Sequence, residues 1–97
     1  MTPEQEMHRG DEARRLLDSK VMSEALGALE SEIVAQWEQC PARDKEGKEA
    51  LWQLLKTKKK FERLLTGYIE TGKLARENLR RIEESKLARM GRALRRV

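Results

Sequence analysis

The 97 residues carry 21 Lys/Arg against 17 Asp/Glu, a net charge of +4, and are 39% charged, 38% hydrophobic and only 4% aromatic. That length supports one domain, and so lean an apolar fraction excludes a thick globular core, leaving an extended helical assembly or a partly disordered chain. Cys40 is the only cysteine and His8 the only histidine, which excludes an internal disulfide and any metal site resting on thiolates.

Thr2-Pro3-Glu4 reads as a helix start, with Thr2 as N-cap, Pro3 at the first position and acids in the first turn. The expected first helix covers residues 1–17. Arg9-Gly10-Asp11 spells an adhesion tripeptide, but in a helical, cysteine-poor chain a tolerated helix glycine is the better reading. Ala13, Leu16 and Leu17 complete the apolar surface of this segment. Asp18-Ser19 then offers side chains that cap a new helix and marks a kink or short break.

The next expected helix covers 20–39. Val21, Met22, Ala25, Leu26, Leu29, Ile33, Val34, Trp37 and Cys40 fall on one face, and Glu24, Glu30, Glu32 and Glu38 on the other. Trp37 reads as a core anchor against Trp52, with Ile33, Leu51 and Leu55 beside them. Cys40-Pro41-Ala42-Arg43-Asp44 is the clear interruption, since proline disfavours helix at the residue before it and Asp44 is placed to cap the next helix. A short connection between two amphipathic helices implies an antiparallel helical hairpin.

Residues 44–97 read as one long basic helix. Apolar residues recur at steps of three and four from Ala50 to Val97, no proline comes after Pro41, and at about 1.5 Å per residue the rod is ~80 Å long. A kink is expected at 67–72, where Thr66-Gly67 and Thr71-Gly72 soften the helix or admit a close neighbour at Gly72 and Ala75. Gly67 to Lys73 matches most of a phosphate-binding loop pattern, yet Leu74 stands where magnesium needs Ser or Thr and no buried strand precedes it, so nucleotide binding is not expected. The 20–39 helix, ~30 Å long, reaches only to about Leu65. The stripe through Leu65, Tyr68, Gly72, Ala75, Leu79 and Ile82 therefore needs another chain or the N-terminal segment folding back, and the expectation is a homo-oligomer with these residues as its seam.

Charge divides along the same boundary. Residues 1–43 hold five Lys/Arg against nine Asp/Glu, net −4, and residues 44–97 sixteen against eight, net +8. Lys56, Lys58, Lys59, Lys60 and Arg63 surround Phe61, and Arg89, Arg92, Arg95 and Arg96 cluster near the C-terminus with Lys86 just before them. One reading is a solvated face with favourable charge at the negative end of the helix, and the other is contact with nucleic-acid phosphates or an acidic partner.

The Pro41-Ala42-Arg43-Asp44 turn, the Trp52-bearing helix and Glu70-Thr71-Gly72-Lys73-Leu74-Ala75 together resemble small uncharacterised helical proteins of bacteriophages and prophages, over roughly residues 9–80. The resemblance implies virion assembly, genome packaging or host takeover, performed as a homo-oligomer or on a larger phage or host protein. It carries no functional residues across. The reading is thus an all-α chain, a helical hairpin with a long C-terminal helix built into a helical oligomer, serving phage-type assembly. The alternative is a binding module whose basic helix engages nucleic acid or inhibits a nucleic-acid-processing host enzyme. No catalytic constellation, metal, cofactor or small-molecule substrate is expected. With no apolar run near the ~18 residues of a membrane span and no leader-like start, the expected location is the cytoplasm of the host cell or the virion.

Overall fold

Each helix begins where a side chain takes over a backbone hydrogen bond. The computed structural model describes residues 1–95 and is all-helical among them: α1 (Pro3–Asp18), α2 (Lys20–Gln39) and α3 (Lys45–Arg95). Thr2 Oγ1 accepts from Gln5 N while Gln5 Oε1 accepts from Thr2 N, a reciprocal capping box. Ser19 alone separates α1 from α2; its extended backbone ends the first helix and its Oγ accepts from Met22 N to begin the second. Cys40 is held extended ahead of Pro41, and Asp44 Oδ1 accepts from Gly47 N at 2.9 Å to cap α3. α3 then continues as α-helix through Gly67 and Gly72 without interruption.

The turn at 40–44 sends α3 back along α2. Near the turn Lys48 Nζ donates to the Trp37 carbonyl at 3.1 Å, and farther along Lys58 Nζ donates to Glu30 Oε2 at 2.9 Å. Lys58 also pairs with Glu62 on its own helix, and its side chain is only 7% exposed. One ammonium held between two carboxylates in an otherwise apolar seam fixes how the helices register, as a single polar position does in coiled coils.

Past Ser19 the chain extends α2's direction, so α1 lies over the C-terminal half of α3. Gly10 and Gly72 face each other there. A Cβ built on Gly10 would stand 2.8 Å from the Tyr68 carbonyl oxygen, and one on Gly72 3.1 Å from that of Glu6. Two glycines thus let the helix backbones approach closely, and Ala13, Leu65 and Ala75 are buried around the crossing. The Arg9 guanidinium sits 4.1 Å from the centre of the Tyr68 ring, and Arg76 Nη2 reaches both carboxylate oxygens of Asp11 at 3.0–3.1 Å.

Within one chain, α1 covers most of the residues expected to form the oligomer seam, the N-terminal segment folding back over them. Leu65, Gly72 and Ala75 are buried and Tyr68 and Leu79 half-buried within one chain, and of the six seam residues only Ile82 is exposed, at 49%. The physical reason is length: α1 and α2 together provide 36 helical residues, ~54 Å at about 1.5 Å each, enough to track α3 to the region of Leu79. The result is a rod of 82 × 25 × 16 Å whose last turns of α3 run on alone. Among the described residues no helix is long and apolar enough to cross a membrane.

Candidate interaction surfaces

α2 and α1 do not cover α3 equally. Beyond Gly47 and Lys48, half-covered at the turn, the residues of α3 withdrawn from solvent along α2 are Leu51, Leu55, Lys58 and Glu62, a single row at alternating steps of four and three. Along α1, that row continues through Leu65, Ile69 and Gly72, and the adjacent row of Tyr68, Thr71 and Ala75 is covered as well. Traced back toward the turn, this second row consists of Ala50, Leu54, Thr57, Phe61 and Leu64. All five are exposed, Leu54 at 47%, Phe61 at 43% and Leu64 at 49%. The uninterrupted α3 thus carries two parallel seams, one of which has no partner beside α2.

The tryptophans border the same hairpin. With Ile33, Val34, Leu51 and Leu55 they line an open cleft of about 220 Å³, but Trp37 is 40% and Trp52 48% exposed. The expected core anchor is therefore a rim: Ile33 is buried, while two helices enclose only one side of a large indole. Lysines partly cover the open faces. Lys48 Nζ lies 4.3 Å from the centre of the Trp37 ring and Lys56 Nζ 5.8 Å from that of Trp52.

The basic residues sort into neutralised and unneutralised sets. In the middle of α3, Arg80 pairs with Glu77 and Glu84, Arg81 with Glu77, and Lys73 with Glu70. The hydrogen bond from Arg80 foremost, with its charge and that of Arg81, holds the Glu77 carboxyl down at about 2. The hydrogen bond from Lys58 similarly lowers Glu30, and those to Glu62 and then Glu30 raise Lys58. By contrast Lys56, Lys59, Lys60, Arg63, Arg89, Arg92 and Arg95 are all exposed, and none has an ion-pair partner among the described residues. Arg96 lies outside the described residues. The two clusters are not brought together: from Lys60 to Arg89 is 29 residues of continuous helix, ~44 Å.

Three contacts escape a reading of the sequence. Lys58 looks like one more surface lysine, because a charge in a lysine run gives no sign that it lies under a neighbouring helix. Arg9 on Tyr68 and Arg76 on Asp11 depend on α1 crossing α3. A readable sign exists for that crossing, since Gly10-x-x-Ala13 and Gly72-x-x-Ala75 repeat one small-residue spacing on two helices. Comparison with known protein families, curated proteins and solved structures found no match.

Proposed function

We propose that this chain is a non-enzymatic assembly protein that self-associates through apolar helix faces, in the virion-assembly or genome-packaging role that its resemblance to small phage proteins implies. The observation that carries the reading is the uncovered second seam of α3: Leu54, Phe61 and Leu64 stand in a row, each over 40% exposed, on a helix whose same row is elsewhere covered by α1. Contiguous apolar surface of this kind marks sites of protein association. A helical face with recurring apolar side chains is completed most simply by further helices.

A second reading rests on a different observation, the two clusters of exposed cations outside any ion pair among the described residues, Lys56, Lys59, Lys60 and Arg63 in one and Arg89, Arg92 and Arg95 in the other, which suit phosphates or an acidic protein surface. Light scattering at low and high salt, with and without duplex DNA, separates the two. Self-association supports an oligomer whose mass is indifferent to DNA and persists at high salt, because apolar burial is not screened. A monomer that gains mass only with DNA at low salt would replace assembly with nucleic-acid binding.

A further inference from the structure

The open seam has a counterpart on α2. Met22, Ala25 and Leu29 recur at steps of three and four on the flank of α2 beside its α3-facing row of Leu26, Ile33 and Trp37. Val34 and Trp52 share the cleft on one flank of the hairpin, so helical position puts Met22, Ala25 and Leu29 on the same opposite flank as Leu54, Phe61 and Leu64, one broad face with no charged residue among those six. Midway along, its two long edges each carry one exposed charge, of opposite sign. Glu32 continues the α2 row at the next step of three, and Lys60 flanks the α3 row beside Phe61 and Leu64; both are exposed and neither has an ion-pair partner among the described residues.

We propose that a second copy of this chain occupies that face, related by a two-fold axis running along the hairpin, so that α2 of each copy lies on α3 of the other in a four-helix bundle. This rests on the self-association reading and names its surface. A glutamate on one side and a lysine on the other of one apolar face make a self-complementary pair of contacts, which is what a two-fold interface requires. The axis sets Glu32 of each copy beside Lys60 of its partner, twice per dimer. It also covers the row that α1 covers farther along, so α3 is flanked along most of its length. The opposite flank is a poorer interface for a dry bundle, because Lys48, Lys56 and Glu30 border the tryptophan cleft there.

Sedimentation equilibrium on the full chain tests the arrangement with four variants, each first matched to wild type by far-ultraviolet circular dichroism. Glu32→Lys and Lys60→Glu are each expected to weaken association roughly tenfold, since two symmetric pairs become repulsive. The double variant Glu32→Lys/Lys60→Glu restores it to within about threefold of wild type, and Phe61→Glu gives monomers. Dimers that withstand Phe61→Glu, or single reversals that the double variant does not rescue, overturn this interface while leaving self-association standing. A wild type that stays monomeric throughout overturns both.

Discussion

Gly10 is the residue on which the packing of α1 turns. Glycine within a helix ordinarily costs roughly 0.5–1 kcal/mol relative to alanine, so Gly→Ala is stabilising wherever the added methyl has room. Gly67 and Gly27 have open space at that position, whereas at Gly10 the methyl meets a backbone oxygen at 2.8 Å. Gly67→Ala is expected to raise the unfolding free energy by about 0.5–1 kcal/mol. Gly10→Ala is expected to lower it by roughly 1–2 kcal/mol, the strain of overpacking less the propensity gain. Urea titrations of the two variants check the opposite signs. Lys58 is the other decisive residue. Lys58→Ala leaves two carboxylates without their shared ammonium and is expected to cost about 1–2 kcal/mol, below the range for a fully buried pair because Glu30 and Glu62 remain 43% and 37% exposed.

Among the elements, the local signals are legible in the sequence and the long-range ones are not. Thr2, Pro41 and Asp44 act on backbone groups within a few residues, so composition and spacing disclose them. The all-helical class comes from the three- and four-residue steps. The apolar stripe of α3, however, reports which residues are withdrawn from water and not what covers them. An antiparallel neighbour and a second chain leave the same pattern at Leu65 to Leu79, so the stripe by itself points to another copy where α1 in fact provides the cover. Asp44→Ala removes a cap whose Oδ1 accepts from Gly47 N, with an expected loss of about 1 kcal/mol in thermal or urea unfolding. The ion pairs on α3 set a pH dependence. Glu77 and Glu30 titrate below their ordinary values, so their contributions are present above about pH 4.5 and are lost as pH falls, for Glu77 through about 2. Lys58, raised, contributes below its ordinary value and loses that contribution only at more alkaline pH. Arg80→Gln should move the Glu77 carboxyl back toward 4.5 in an NMR titration and shrink the acid-side loss.

For the whole molecule, a rod 82 Å long with paired charges in the middle and unpaired cations toward the turn and the C-terminal end separates two kinds of contact. Apolar association belongs to the open face of the hairpin, and any anion binding to Lys56, Lys59 and Arg63 on its other side and to Arg89, Arg92 and Arg95 near the C-terminal end. If the arginines engage duplex DNA, replacing Arg89, Arg92 and Arg95 with glutamine flattens the dependence of log affinity on log salt by ~3 while the oligomer keeps its mass. A filter-binding series over salt reads that slope. Whether another copy of the chain satisfies the uncovered face of the hairpin is decided by the mass of the wild-type protein across a concentration series in sedimentation equilibrium at high salt. A species of at least twice 11.3 kDa that dissociates on dilution is expected; a constant 11.3 kDa into the high micromolar range would leave that face without a second copy.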